Sequence, residues 1–434
     1  MVFTRNLIEK YNVDVFVAGG GPSGMAAAIS AARLGCSVFI AEKNGCFGGS
    51  GTTGLVPCFA TFTDRVNFLA GGFGREIHDA IFRSDEALGN GFYAYPVEKL
   101  KKVYDDMAIS AGVKFSFFTS LVDVEARDGR VENVILAAKS GLFAVKAKIY
   151  IDCTGDGDLA TWSGAIAEHG DESGTAMPST LCSLWANMDF SQPDSGPQNR
   201  KIEEAYNDGV FTNFDLHLPG IATTSKECGI GGGNVGHCFE VDARDEASLT
   251  EGMLHGRRTI REYEKYYKEY LGARYSNMFL CYTADMLGIR ESRRIIGDYV
   301  LNMGDFEKRA VFEDEIGRYS YPVDIHIMKP DKDAYNNFMN EYSRTYYGVG
   351  ESYGIPYRTL TPKGLSNVLV AGRCISTDRS MQASIRVMPG CFITGQAAGV
   401  AASLAVAKED TREIKISELQ EKIVSLGGYI PNRA

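Results

Sequence analysis

The stretch VDVFVAGGGPSGMAAAISAARLGCSVFIAEK, residues 13–43, constrains the fold more than any other part of the chain. An apolar strand ends at Ala18, and Gly19, Gly21 and Gly24 then follow the pattern GxGxxG ahead of an alanine-rich helix. In such a unit the first glycine makes a tight turn, the second lets the backbone approach a pyrophosphate, and the third lets the helix pack against the strand. The stretch therefore predicts a strand–helix–strand unit that binds a dinucleotide.

The residues after these glycines extend the same prediction. The helix begins at Pro22 and Ser23, so its N-terminal amides and its dipole point toward the phosphates. The second strand ends in Glu42 and Lys43, about 20 residues downstream, where a carboxylate accepts hydrogen bonds from a ribose hydroxyl. An acid at this position disfavours a nucleotide with a 2′-phosphate.

A second match to GxGxxG occurs at Gly231, Gly233 and Gly236. No apolar strand leads into it, and the following HCFEVDARDEASL alternates like a strand instead of opening a helix. With 48 glycines in the chain, a chance match is expected. We therefore predict that only the first match binds a nucleotide.

Two segments after the first unit indicate which dinucleotide is bound. The run FGGSGTTGLVP, residues 47–57, has the glycines and hydroxyl side chains that suit a loop beside a diphosphate. In DCTGDGDLA an apolar strand ends at Asp152 before a turn that can lay backbone amides against a cofactor, although Asp156 and Asp158 are also plausible as helix caps alone. The cofactor-binding residues expected here are Gly49, Ser50, Thr52, Thr53, Gly54, Thr154, Gly155 and Asp156.

The segment 366–407 supplies the last part of the expected site. It predicts a strand at 368–371 and a helix of small residues that starts near Pro389. The positive end of such a helix would stabilise negative charge on a reduced flavin ring, whereas its composition also fits a buried structural helix. The residues expected to bind the cofactor here are Gly372, Arg373, Arg386, Pro389 and Gly390.

Taken in order, these segments resemble the FAD-dependent oxidoreductases of the glutathione-reductase-type (GR2-like) fold. The closer resemblance is to a broad FAD-dependent oxidoreductase family with GGGPSG, GGSGTTGLVP, DCTGDGDLA, GIRESRRIIGDYVL, YGIPYRTLTPKGLSNVLVAGRCIS and SIRVMPGCFITGQAAGVAA, which together span residues 14 to 407. The resemblance implies bound FAD and an α/β fold. It implies no particular substrate.

The expected architecture is a Rossmann-like FAD-binding domain with a parallel sheet and a three-stranded inset, plus an α+β substrate or cap domain. The FAD-binding domain is predicted to be discontinuous, formed by residues 1–165 and 360–434, with the cap at 166–359. The inset is expected between residues 113 and 153, where apolar and polar residues alternate around a DGR turn.

Bulk properties exclude some classes of function. The chain has 434 residues and a formal net charge of −10, which argues against a nucleic-acid surface. No apolar run reaches the ~18 residues of a membrane span, and the start lacks the apolar core of a signal peptide, so a cytoplasmic location is the default expectation. The ten cysteines contain no CxxC pair, and no metal site is predicted. There is no second complete nucleotide fingerprint. If NAD(P)H reduces the flavin, we therefore expect it to bind in the same site as the substrate and not on a Rossmann domain of its own. A protein electron partner is the alternative.

Five residues are candidates for catalysis. His326 is the expected proton shuttle, and Tyr353 and Tyr357 are expected to polarise a substrate oxygen. Arg290 is expected either to clamp a substrate carboxylate or to form an interdomain salt bridge. Arg386, just before the last predicted helix, is expected to bind substrate, to neutralise the flavin, or to do both. His78 and His237 are less favoured by their positions.

The leading hypothesis is an FAD-dependent dehydrogenase or reductase that transfers a hydride between flavin N5 and a small organic substrate. One alternative is a flavin-dependent monooxygenase, although AGRCIS and VMPGCF lack the Asp-bearing motif expected of aromatic hydroxylases. Another alternative is an electron-transfer flavoprotein subunit that acts with a protein partner. The sequence does not determine the substrate, the direction of reaction, the oligomeric state or whether FAD is covalently attached.

Overall fold

The computed structural model describes residues 4, 6–82, 91–193, 201–215 and 220–431. The strands in these ranges are β1 (Glu9–Ala18), β2 (Val38–Ala41), β3 (Cys58–Phe59), β4 (Tyr93–Ala94), β5 (Lys114–Ser116), β6 (Ser120–Arg127), β7 (Arg130–Ala138), β8 (Gly141–Asp152), β9 (Ala167–His169), β10 (Ser183–Ala186), β11 (Gly220–Ser225), β12 (Ile230–Asn234), β13 (Phe279–Thr283), β14 (Arg293–Ile295), β15 (Glu315–Tyr319), β16 (Tyr353–Pro356) and β17 (Val368–Val370). The helices are α1 (Pro22–Arg33), α2 (Phe73–Ile81), α3 (Val97–Ser110), α4 (Asp158–Trp162), α5 (Ile202–Asn207), α6 (Glu246–Tyr270), α7 (Met303–Lys308), α8 (Lys332–Ser343), α9 (Arg379–Ile385), α10 (Met388–Ala405) and α11 (Ile416–Ser425).

The main sheet contains five parallel strands in the order β5–β2–β1–β8–β17. β1 lies at its centre, with Val17 opposite Ile40 of β2 on one side and opposite Ile151 of β8 on the other. These three side chains are fully buried, as expected for parallel strands that are covered on both faces. The predicted α/β fold with a parallel sheet is therefore confirmed at this level.

β8 connects the parallel sheet to an antiparallel extension. Over its first residues β8 pairs antiparallel with β7, which pairs with β6, and at residues 150–152 the same edge of β8 pairs parallel with β17. The opposite edge of β8 pairs with β1 along its length. The antiparallel unit β6–β7–β8 lies where the sequence predicts a three-stranded inset.

Two glycines of α10 let this helix cross α1 with the two backbones in contact. A Cβ atom at Gly395 would lie 2.2 Å from the Ser23 carbonyl oxygen, and one at Gly399 would lie 2.1 Å from the Ala27 carbonyl oxygen. Since Gly395 and Gly399 are one turn apart, they share the helix face that meets α1. This crossing places the N-termini of both helices beside the carboxyl ends of the parallel strands.

A smaller core forms outside the main sheet. The antiparallel sheet β11–β12–β10–β13 and α6 enclose aromatic side chains that include Trp185, Tyr263 and Tyr267. By contrast, Ile316 and Tyr353 join the core of the main sheet, although they lie within the range expected to form the cap. The expected domain boundaries stay a prediction.

In the described part of the chain, no helix is by itself long and apolar enough to cross a membrane. Only α9 and α10 taken together, which meet at an angle of 95°, reach that length and composition.

Candidate functional site

One cavity of about 1030 Å³ lies beside the carboxyl ends of β1, β2 and β8, where ligands bind in open parallel sheets. The expected cofactor-binding residues that line it are Gly19, Gly21, Pro22, Ser23, Glu42, Lys43, Gly49, Ser50, Thr154, Gly155, Asp156, Arg373 and Arg386. The other expected residues, which do not line it, are Gly24, Thr52, Thr53, Gly54, Gly372, Pro389 and Gly390.

The three glycines of the fingerprint have the surroundings that a dinucleotide needs. A Cβ atom at Gly19 would lie 2.7 Å from the Cys153 carbonyl oxygen, and one at Gly24 would lie 1.9 Å from the Gly19 carbonyl oxygen. At Gly21, a Cβ atom would meet no atom of the described residues within 4 Å. Gly19 and Gly24 are therefore required by the chain's own packing, whereas the space beside Gly21 is available for a diphosphate. The residues present fit the expected cofactor.

Glu42 has a second role that the sequence did not reveal. Its side chain is 3% exposed; Oε2 accepts from the Gly20 amide at 2.7 Å, and Oε1 accepts from the Asn44 amide at 2.8 Å. The carboxylate therefore holds the glycine turn in place while it lines the cavity. Oε1 accepts a second hydrogen bond from Asn44 Nδ2 at 2.6 Å, so Oε2 is the oxygen with a further lone pair for a ribose hydroxyl.

Asp152 organises the turn that follows β8. Its Oδ1 accepts from the Thr154 amide at 3.0 Å and from the Thr154 hydroxyl at 2.7 Å, and its Oδ2 accepts from the Ala160 amide at 2.9 Å. Burial raises the pKa of Asp152 to about 6, although these hydrogen bonds act in the opposite direction. Thr154 and Gly155 reach the cavity because this carboxylate fixes the turn between β8 and α4.

Two arginines, Arg373 and Arg293, also hold the turn between β8 and α4 through hydrogen bonds. Arg373 donates from Nε to the Gly155 carbonyl at 2.9 Å and from Nη2 to Asp156 Oδ1 at 2.6 Å. Arg293 donates from Nη1 to the Asp156 carbonyl at 3.0 Å and to Asp158 Oδ1 at 2.7 Å. Arg373 therefore shapes the turn as well as lining the cavity.

The expected residues outside the lining support the cavity wall. The Thr52 hydroxyl donates to the Phe47 carbonyl at 2.5 Å, and the Gly54 amide donates to the Gly49 carbonyl at 3.0 Å. Gly372 has a φ of +82°, and a Cβ there would lie 2.6 Å from Ser23 Oγ. Thr53 lies beside Cys46, while Pro389 and Gly390 lie in the first turn of α10 and are buried.

The structure corrects the expected placement of Tyr353 and Tyr357. Both side chains are buried and neither lines the cavity. The Tyr353 hydroxyl lies 2.9 Å from Ser384 Oγ, and the Tyr357 hydroxyl donates to the Thr411 carbonyl at 2.7 Å. Tyr353 lies on β16, whose four residues are all buried, and Tyr357 is the first residue after it. Both tyrosines pack within the core instead of facing a substrate.

Arg290, Asp324, His326 and Arg386 line the cavity together, and we call these four residues the polar cluster. Arg386 donates from Nη2 to the Asp324 carbonyl at 3.0 Å and to its Oδ2 at 3.3 Å. Asp324 Oδ1 lies 3.4 Å from Nε2 of His326. Three of the five residues expected to act in catalysis are thus brought together, and Asp324 was not expected.

His237 and Asp215 extend the polar cluster away from the cavity. His237 Nε2 lies 2.9 Å from His326 Nδ1, and His237 Nδ1 lies 3.1 Å from Asp215 Oδ1. The His237 backbone amide also donates to Asp215 Oδ2 at 2.8 Å. These residues are separated by 22 and 89 positions in the chain, so no local pattern could have connected them.

Burial and neighbouring cations keep the two histidines neutral. Burial lowers the pKa of His326 well below its ordinary value, and Arg290, His237 and Arg386 lower it further. Burial also lowers the pKa of His237, against the opposing effect of Asp215. The pKa of Arg290 falls to about 10, mainly through burial and then through Arg386. His326 is therefore an uncharged base at neutral pH, and Arg290 is a cation.

A family model described as FAD dependent oxidoreductase matches residues 14–423 of the chain. A thiamine thiazole synthase from Thermococcus kodakarensis is 30% identical over 163 residues, which are 36% of this chain and 62% of that relative. The chain thus spans less than two thirds of that relative's length. A thiamine thiazole synthase from Methanococcus aeolicus is 30% identical over 190 residues, 42% of this chain and 68% of that relative.

Solved structures show only a distant likeness. A geranylgeranyl bacteriochlorophyll reductase-like protein from Thermoplasma acidophilum has a TM-score of 0.46 at 13% identity, covering 96% of this chain and 84% of that chain. The p-nitrophenol 4-monooxygenase from Pseudomonas putida has a TM-score of 0.43 at 13% identity, covering 96% and 85%. Scores at this level carry no argument about function.

Proposed function

Because the chain belongs to the FAD dependent oxidoreductase family and its cofactor is FAD, we propose that it transfers a hydride between flavin N5 and a small organic substrate bound at the polar cluster. The observation that carries this proposal is the continuity of the cavity. One space is lined both by the glycine fingerprint with Glu42 and by the polar cluster. A substrate bound at Arg290 and His326 would therefore share a chamber with the cofactor.

The chain offers each part of FAD a chemically suitable partner. The amides after Gly21 at the start of α1 suit the diphosphate, and Glu42 suits the adenosine ribose. The start of α10, where Met388 lines the cavity, suits the electron-accepting ring because a helix N-terminus stabilises negative charge. When bound, FAD supplies a two-electron hydride acceptor, so the protein must orient the substrate and move one proton.

The hydrogen-bonded chain from Asp215 determines which nitrogen of His326 carries a proton. The Asp215 carboxylate accepts from His237, which places the His237 proton on Nδ1 and leaves Nε2 as an acceptor. His326 Nδ1 then donates to His237 Nε2. His326 Nε2 is left as the basic nitrogen, and His326 lines the cavity.

In the direction of oxidation, His326 Nε2 removes the proton of a substrate hydroxyl or amine while the neighbouring carbon loses its hydride. The O–H or N–H bond and the C–H bond break, a carbon–heteroatom double bond forms, and both electrons leave with the hydride. Asp324 Oδ1, 3.4 Å from Nε2, stabilises the resulting imidazolium. Reduction follows the same steps in reverse, with His326 as the acid.

We also propose the glutathione-reductase-type subtype of the fold. The strand order β5–β2–β1–β8–β17 with the antiparallel unit β6–β7–β8 supports it. The matches to thiamine thiazole synthases cover 36% and 42% of this chain, which is too little to extend that activity to the whole protein.

Anaerobic mixing of the FAD-loaded protein with a metabolite library tests the proposed function. We expect at least one hydroxy or amino compound to bleach the flavin absorbance, and turnover to continue with an artificial dye and no second protein. Failure of every compound, with turnover only when another protein is added, would indicate an electron-transfer subunit. In a separate aerobic reaction under ¹⁸O₂, a product that contains oxygen-18 would indicate a monooxygenase instead.

A further inference from the structure

Arg290 is a buried cation whose hydrogen bonds leave one edge of its guanidinium available. The residue is 6% exposed, and Nη1 donates to the Pro178 carbonyl at 2.9 Å and to the Thr180 hydroxyl at 2.8 Å. Nη2 lies 3.4 Å from Asn234 Oδ1. Among the described residues, none accepts from Nε and no carboxylate lies within ion-pair distance. The Nε and Nη2 edge is the one that binds a carboxylate with two parallel hydrogen bonds.

Within the polar cluster, two arginines face a single carboxylate. Arg290 and Arg386 contribute two cations, Asp324 contributes one carboxylate that is already bound to Arg386, and His326 is neutral. The Nε atom of Arg386 is also buried and has no hydrogen-bond partner. An anion placed beside Arg290 would form the direct ion pair that, among the described residues, neither Asp324 nor Asp215 forms with it. Leaving a buried charge unpaired is otherwise costly.

Apolar side chains occupy the wall of the cavity next to the polar cluster. Phe338 of α8 stacks on His326 with ring centroids 5.9 Å apart, and Tyr342 stacks on Phe338 at 5.7 Å. Met339 and Leu287 line the same cavity. This wall suits a flat or bulky apolar group and offers few partners to a polar one.

We propose that Arg290 binds the carboxylate of a substrate whose remaining body is aromatic or apolar. Asn234 assists, because its amide oxygen accepts from Arg290 and its NH₂ group remains as a further donor at the cavity wall. The inference rests on the proposed function of this site and names the class of substrate that the site takes. The carboxylate directs the substrate body toward the aromatic wall and its reacting group toward His326.

The experiment measures binding to the FAD-loaded protein by calorimetry and by the change in flavin absorbance, without turnover. The probes are benzoate, phenylacetate and 3-phenylpropionate, each compared with its amide. We expect at least one acid to bind about tenfold or more tightly than its amide. Arg290→Gln should weaken binding of the acid by about 10- to 100-fold and leave the amide unaffected.

Arg358→Gln is the matched control, because Arg358 pairs with Asp314 and does not line the cavity. This variant should bind the acids as the wild type does. Equal binding of acids and amides, absence of binding by all six compounds, or an Arg290→Gln variant that binds acids normally would overturn the proposal. If Arg290→Gln does not fold with FAD, Arg290→Lys is used. Lysine keeps the positive charge but cannot make two parallel hydrogen bonds to a carboxylate. Unchanged binding of the acids by Arg290→Lys would therefore also overturn the proposal.

The outcomes separate this inference from the proposed function. Acids that bind through Arg290 to a protein whose flavin no compound bleaches would support the binding site and contradict the hydride transfer. Bleaching by a neutral compound, with no selectivity for acids, would support the hydride transfer and contradict the carboxylate site.

Discussion

His237 and His326 are joined edge to edge, with Nε2 of His237 lying 2.9 Å from Nδ1 of His326 and the two rings nearly perpendicular at 89°. Asp215 fixes the proton of the first ring, and the first ring fixes the proton of the second. In the proposed mechanism, this arrangement leaves His326 Nε2, on the residue that lines the cavity, as the basic nitrogen of the pair. The Asp215 carboxylate would then set the tautomer of His326 through the intervening imidazole of His237.

Replacing His326 should remove the base of the proposed reaction. We expect His326→Gln to slow anaerobic flavin reduction by substrate about 10²- to 10⁴-fold while FAD stays bound, because proton transfer then depends on water. The wild-type rate should be level from pH 8 down to pH 6.5 and fall only at lower pH, since the pKa of His326 lies well below its ordinary value. His255→Gln, on α6 and outside the cavity lining, is the control and should react normally.

Asp215 should act through the tautomer of the histidine pair and not through substrate binding. Asp215→Asn no longer requires the proton on His237 Nδ1, so kcat should fall about 10- to 100-fold with little change in KM. Steady-state kinetics provide the measurement. Asp208→Asn, which removes an exposed carboxylate bonded to Tyr270, should leave both constants unchanged. A change in KM alone would show that Asp215 only supports the shape of the site.

Alanine at Gly21 should separate folding from cofactor binding. Within the part of the chain that the structure describes, a Cβ there meets no atom within 4 Å. Gly21→Ala should therefore unfold at the wild-type temperature in the absence of FAD and bind FAD more weakly. Gly24→Ala should be destabilised by about 1–3 kcal/mol or more, because its Cβ would lie 1.9 Å from the Gly19 carbonyl oxygen. Gly91→Ala, also open around Cβ but outside the lining, is the control. Wild-type FAD affinity in Gly21→Ala would contradict the assigned cradle.

Glu315 should make the protein less stable as the pH rises. Burial raises the pKa of Glu315 to about 7, so the folded state holds its proton after the unfolded state has lost it. Stability from this group is full below the unfolded value of 4.5 and declines as the pH rises through 7. Glu315→Gln should therefore match the wild type at pH 4 and unfold a few degrees higher at pH 8, measured with excess FAD. The exposed Glu313→Gln should show no such divergence.

Much of the fold could be predicted from the sequence because the patterns that indicate it are local. The fingerprint at Gly19 to Gly24 and the acid at Glu42 lie within one strand–helix–strand unit, where spacing alone determines which groups face a ligand. The decoy at Gly231 to Gly236 was excluded on the same grounds, and in the structure it falls on β12 and the turn after it. Membership of the FAD dependent oxidoreductase family confirms the predicted cofactor and class of enzyme.

The site was harder to predict from the sequence, as Tyr353, Tyr357 and His237 illustrate. Tyr353 and Tyr357 were expected at the substrate because they precede β17, but the buried strand β16 carries Tyr353 into the core, and the turn directly after β16 does the same for Tyr357. The sequence favours His237 less than His326 because His237 does not lie beside the strand that returns to the cofactor domain. Its role depends on Asp215 and His326, whose separation along the chain hides their contact.

The sequence by itself determined the dinucleotide cradle, the parallel sheet and the identity of the cofactor, because each depends on residues adjacent along one or two elements. Only the tertiary structure decided which residues share the cavity with that cradle. Arg290, Asp324, His326 and Arg386 come from three separate segments of the chain, and their pairing and protonation depend on burial and on distances of 3 to 4 Å. Such distances arise from the packing of whole elements, which no local pattern encodes.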